Sequence, residues 1–142
     1  MAESTAHVTW SGSLFEGSGT IEHVGSGTFG TLPVSWSART GETGGQTTPE
    51  ELVAAAHAAC YSMALSNGLA QGGTPPDKLD VDATVTFVPG TGITKIALSV
   101  SAVVSGLEEP AFLHAAREAK DGCPLSKALA AVPEITVEAT LA

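Results

Sequence analysis

Cations are scarce in this chain: six Lys and Arg stand against fifteen Asp and Glu, for a formal net charge of −9. That excludes nucleic acid as a natural partner, because neutralising phosphates takes clustered basic residues, and it argues equally against an anionic membrane surface. Aromatic residues are thin as well, at 5%, so the core must be assembled from small side chains that bury little area each. Subunit association would supply the missing burial. Long apolar runs are lacking too. The longest, 52–65, contains His57 and Ser62 and follows Glu50 and Glu51, which leaves it too short and too polar to span a bilayer. Met1-Ala2-Glu3-Ser4 does not open a secretory signal, so a cytoplasmic location is expected. Only two cysteines are present, Cys60 and Cys123, too few for a disulfide framework. Where thiols are kept reduced, such a pair points to redox chemistry.

The 142 residues fit one domain, 1–142. Ser, Thr, Gly and Val alternate in short runs at the start and predict antiparallel strands over about 7–14, 18–24 and 28–37. A glycine-rich loop follows at 40–47, whose composition predicts mobility. Thr48, Pro49 and Glu51 form a Thr-x-x-Glu start with proline at the first helical position. The helix they open, to about Ala70, is apolar almost all round and is expected to run through the core. Strands at 79–88 and 93–104 are joined by the turn Pro89-Gly90-Thr91-Gly92. An amphipathic helix is expected over 107–120, with Leu113, Ala116 and Ala119 as core contacts. A short helix at 124–131 and a strand at 134–141 complete an α+β architecture: largely antiparallel sheet around a long central helix.

Cys60 sits about ten residues into its helix, roughly 15 Å along the axis, where the helix dipole no longer favours a thiolate. A cation from elsewhere is required. Arg39 is the candidate, since it is the only Lys or Arg among residues 1–77. Its fork can hold a carboxylate on one side and face a thiolate on the other. Glu50 can fix that fork, whereas Glu51 is accounted for as the capping carboxylate. Cys123, at an N-cap with Pro124 after it and Lys127 within one turn, faces free backbone amides that favour a thiolate. Physics alone therefore leaves open which thiol attacks. His57 shares a helix face with Cys60, and a Cys/His metal module is a third-rank reading, but no compact ligand motif supports it. His57 is better explained as a packed or hydrogen-bonded core residue. His7, His23 and His114 read as surface residues, and Trp10 and Trp36 as core or interface residues on strands.

The block from Thr48 through Cys60 to Ser66, together with Gly122-Cys123-Pro124-Leu125-Ser126-Lys127-Ala128-Leu129, resembles the OsmC/Ohr family of organic hydroperoxide peroxidases, in its OsmC-like branch. The resemblance implies an intertwined homodimer and a thiol peroxidase that reduces organic hydroperoxides to alcohols. Cys60 would be the peroxidatic residue and Cys123 the resolving one, with Arg39 and Glu50 beside them. It implies a sulfenic acid, then an intramolecular disulfide, with no bound cofactor or metal. An external dithiol would reduce the disulfide, with lipoylated proteins as the implied reductant. The loop at 39–48 is about one residue longer than the family pattern and has Thr40 where an aromatic is usual. The rival reading is a thiol redox sensor or binding protein on the same fold without efficient turnover.

Overall fold

The structure is a computed structural model describing residues 1–142. It divides into two units, Met1–Leu52 and Val53–Ala142. In the first, β1 (Ala6–Ser11), β2 (Ser18–Val24) and β3 (Gly30–Val34) form an antiparallel sheet in that order. Its buried apolar content is small, namely Ile21 and Ala38, and every residue of β1 is exposed.

The chain then turns into a short helix, α1 (Trp36–Thr40), where a continued strand was expected. Ser35 is the reason. Its hydroxyl accepts the Ala38 N–H as an N-cap, satisfying a first-turn amide that a strand would have paired elsewhere. Trp36 therefore lies on a helical turn, half-buried, rather than on a strand. Gln46 in the following loop takes a hydrogen bond from the same Ser35 hydroxyl at 2.9 Å.

The boundary between the units falls in the first turns of α2 (Pro49–Gln71). Thr48 caps it as expected, accepting the Glu51 N–H at 3.0 Å. The Glu51 carboxylate takes the Thr47 hydroxyl, also at 3.0 Å.

In the second unit, β4 (Lys78–Val88) and β5 (Gly92–Val103) form the expected hairpin, with Gly90 and Gly92 at φ 83° and 107° in its turn. These are angles that L side chains rarely adopt. The last strand, β6 (Glu134–Leu141), runs parallel to β5. Parallel pairing needs a crossover, and here α3 (Glu109–Gly122) and α4 (Pro124–Ala128) provide it. Cys123 is the joint between those two helices.

Alternation on β5 turns Ile96, Leu98, Val100 and Ala102 inward. Leu98, Val100 and Ala102 join one cluster with Tyr61, Leu65 and Leu69 of α2, and with Phe112 and Ala119 of α3. On α3 the buried stripe is Phe112, Ala116 and Ala119, one residue out of phase with the expected Leu113, which is half-buried. The larger ring takes the core position. On α2, His57, Tyr61, Leu65 and Leu69 form a single buried stripe at a spacing of four. Ala55, Ala56, Ala59 and Met63 are left exposed in the isolated chain. The α+β class and the helix-on-antiparallel-sheet arrangement match expectation. No helix is long and apolar enough to cross a membrane.

Candidate functional site

The four residues singled out from sequence meet as two pairs, one in each unit. In the first unit, Arg39 closes the single turn of α1 and Glu50 opens α2. The loop between them folds back so that Arg39 Nη2 and Nε lie 2.7 and 2.9 Å from the same oxygen, Glu50 Oε1. The Glu50 side chain is 8% exposed and that of Arg39 32%, so the carboxylate is the more deeply held partner. Its second oxygen, Oε2, is buried with no hydrogen-bond partner. The Trp36 ring lies 6.0 Å from Arg39 Cζ, within cation–π range. Trp36 meets Phe15 edge-on at 5.8 Å between ring centroids. Arg39 thus borders a recess of about 190 Å³ walled by Trp10, Leu14, Val34, Trp36 and Pro49, with Ser35 as its other polar residue. The recess is apolar with a single cation at its edge. Sequence reasoning placed Trp10 correctly on a strand but put Trp36 on one too, and so missed the recess; Ser35 directly before Trp36 was the available signal.

In the second unit, Cys60 on α2 and Cys123 at the head of α4 are both free thiols. Cys123 Sγ donates to Cys60 Sγ at 3.2 Å. Cys123 is 0% exposed, while Cys60 is half-buried. The expectation that Cys123 would enjoy the amides at the head of α4 needs correcting. Its side chain makes no cap hydrogen bond, and the α4 amide that acts on a sulfur is that of Leu125, on Cys60. Burial raises the Cys60 thiol above its ordinary value, and the hydrogen bond and charge of Cys123 push the same way. The Leu125 backbone hydrogen bond pulls it back down. An N–H at a helix N-terminus favours a thiolate in this way whichever cysteine it meets.

His57, one turn before Cys60, is fully buried, and its Nε2 lies 2.8 Å from the Ser126 hydroxyl of α4. Its Nδ1 has no partner, and burial lowers its pKa below the ordinary value of 6.5. The neighbouring Tyr61 is also buried and donates its hydroxyl to the Ala116 carbonyl at 3.0 Å. Burial, with the Cys123 charge second, holds that phenol well above its ordinary pKa. The sequence reading had not paired His57 with Ser126, although the His-x-x-Cys and Cys-x-x-Ser spacings signalled it by placing one residue of each pair a turn from a thiol. No group of three or more His, Cys, Asp or Glu side chains is gathered as a metal ion would require. His7, His23 and His114 are exposed.

A family model described as OsmC-like protein matches residues 41–138. Peroxiredoxin OsmC of Escherichia coli (strain K12) is 41% identical over 133 residues, which cover 91% of this chain and 90% of its relative. Among solved structures, an organic hydroperoxide resistance protein OsmC from Legionella pneumophila aligns with a TM-score of 0.63 at 22% identity, covering 97% of this chain and 96% of its own. OhrB of Bacillus subtilis aligns at 0.62 and 23%, covering 97% and 98%. The solved structures carry the fold, while the family model and the Escherichia coli relative carry kinship. The chain belongs to the OsmC-like family.

Proposed function

We propose that the protein is a thiol peroxidase that reduces organic hydroperoxides to alcohols, with Cys60 attacking and Cys123 resolving. The observation that carries this reading is the pair of free thiols 3.2 Å apart, of which only Cys60 has exposed surface. A peroxide arriving from solvent meets Cys60 first, and the product on Cys60 already has its second thiol beside it. Accessibility thus supports Cys60 as the attacking thiol, in the order that sequence physics left open. Kinship with a relative named as a peroxiredoxin supports the peroxidase class.

The chemistry runs in three balanced steps. The Cys60 thiolate attacks the distal peroxide oxygen, the O–O bond breaks, and the alkoxide leaves as alcohol after taking a proton. Cys60 is left as a sulfenic acid, oxidised by two electrons. The Cys123 sulfur then forms the S–S bond while the S–O bond breaks, and hydroxide leaves as water with the Cys123 proton. Finally an external dithiol, with a lipoylated protein as the proposed donor, reduces the disulfide and is itself oxidised to a disulfide. No bound cofactor or metal is part of the scheme. Arg39, steered by Glu50, is proposed as the cation for the thiolate, contributed in cis or by a second copy in a homodimer. The exposed apolar face of α2, with Ala55, Ala59 and Met63, supports such a dimer. The apolar recess beside Arg39 supports a preference for alkyl over hydrogen peroxide.

The raised Cys60 thiol favours a second reading, a slow redox sensor without efficient turnover. Steady-state assays with cumene hydroperoxide and hydrogen peroxide, each reduced by dihydrolipoamide or by thioredoxin, separate the two. The proposal expects sustained turnover, fastest with cumene hydroperoxide and dihydrolipoamide. A single stoichiometric oxidation under every combination contradicts the peroxidase and leaves the sensor.

A further inference from the structure

We infer that His57 and Ser126 are positioning residues for the resolving step: their buried hydrogen bond fixes α4 on α2 so that Cys123 meets the oxidised Cys60. The inference rests on the two-cysteine reading above and adds to it a pair of residues that touch neither peroxide nor sulfur.

Helix α4 is the element that carries Ser126. It is only five residues long, too short to be stable by its own hydrogen bonding. Two side-chain hydrogen bonds link α2 to α4 and its cap Cys123, and they are arranged in parallel. Cys60 meets Cys123 at 3.2 Å. One turn away along each helix, three residues before Cys60 and three after Cys123, His57 Nε2 meets the Ser126 hydroxyl at 2.8 Å. The sulfur contact cannot hold the register by itself, because it is the contact the reaction remakes. His57 and Ser126 are 0% and 8% exposed, so water does not compete for their bond, and a buried polar pair fixes a geometry that apolar packing would leave loose. The arrangement is not a satisfied core network, since His57 Nδ1 has no partner. An aliphatic residue at 57 would avoid that unpaired nitrogen. What the imidazole provides in return is a directed link to α4.

Resolution is the step most exposed to loosening. It requires the two sulfurs in line as the S–S bond forms and the S–O bond breaks, and a displacement of about 1 Å costs up to about a hundredfold in such a step. Attack on the peroxide does not need Cys123 in line with Cys60.

The test is a single turnover with one equivalent of cumene hydroperoxide, quenched in acid and read by intact mass. Sulfenic acid adds about 16 Da and the disulfide removes about 2 Da. Ser126→Ala is expected to take up oxygen within about threefold of the wild-type rate. Its conversion to disulfide should be slower by about ten- to a hundredfold, so that the sulfenic acid accumulates. Ser126→Thr, which keeps the hydroxyl, is expected to restore conversion. A merely structural role would be met equally by either small residue and would not divide the two steps. Ser126→Ala converting at the wild-type rate overturns the inference, as does equal slowing of both steps in Ser126→Ala and Ser126→Thr. Wild-type protein that gains oxygen and never loses the 2 Da contradicts the two-cysteine reading itself, and the positioning role with it. His57→Asn provides the second variant and should reproduce the Ser126→Ala profile.

Discussion

The Arg39–Glu50 pair makes an asymmetric prediction. Both guanidinium contacts fall on one carboxylate oxygen, at 2.7 and 2.9 Å, with side-chain exposures of 32% for Arg39 and 8% for Glu50. Two unit charges about 4 Å apart attract by about 4 kcal/mol at an effective dielectric constant of about 20. Solvent around the partly exposed guanidinium screens much of that, and burying the carboxylate offsets more. Glu50→Gln removes the attraction but also the buried charge, and Arg39 can rehydrate, so the net cost should be about 1 kcal/mol. Arg39→Gln leaves a buried carboxylate whose second oxygen already lacks a partner, and stranding a buried charge costs about 3 kcal/mol. For a chain of this length the thermal midpoint should fall by about 3 °C in Glu50→Gln and about 10 °C in Arg39→Gln. Differential scanning calorimetry of both variants at one protein concentration measures the difference. Equal losses, or a larger loss for Glu50→Gln, would refute the reasoning that the carboxylate is the dependent partner.

Further outcomes follow from the second unit. Burial lowers the proton affinity of His57, so below about pH 6.5 the unfolded chain binds the proton that the folded chain refuses. The stability this residue contributes is present above that pH and is lost as pH falls through the lower folded value. Urea midpoints at pH 7.5 and 5.5 should therefore separate more in wild-type protein than in His57→Asn; parallel curves would contradict this. Tyr61→Phe removes one buried hydrogen bond to Ala116 and should cost about 1 kcal/mol by urea denaturation. Leu65→Ala, at a fully buried position in the main cluster, should cost about 2–5 kcal/mol in the same assay. A near-neutral Leu65 variant would show that α2 is not seated on that cluster.

Much of the fold was legible because local signals and burial agreed. Thr48 and Pro49 marked the start of α2, the Pro-Gly-Thr-Gly turn marked the β4–β5 hairpin, and alternation over 134–141 marked β6. What stayed hidden depended on partners distant in sequence. Alternation announces a strand but not its neighbour, so the parallel pairing of β6 with β5 could not be read. The strand at 30–34 formed, but the Ser35 cap on Ala38 ended it before the expected continuation to about 37. Phe112 and Leu113 are adjacent apolar residues, and only packing decided which faces inward.

The site divided in the same way. Arg39, Glu50, Cys60 and Cys123 stood out by residue type, rarity and kinship. His57 with Ser126, and the Leu125 amide on Cys60, emerged only when the crossover folded α4 onto α2. The sequence argument for Cys123 was sound as local electrostatics. It failed because it assumed that the side chain at the head of a helix is the one its amides serve.

The order of the two thiols is the central claim, and one measurement addresses it: peroxide consumed per protein by Cys60→Ser and by Cys123→Ser, with no reductant present. The account predicts that Cys60→Ser consumes no cumene hydroperoxide, while Cys123→Ser consumes one equivalent and holds it as a sulfenic acid on Cys60. One equivalent consumed by Cys60→Ser, with the oxygen found on Cys123, would contradict it.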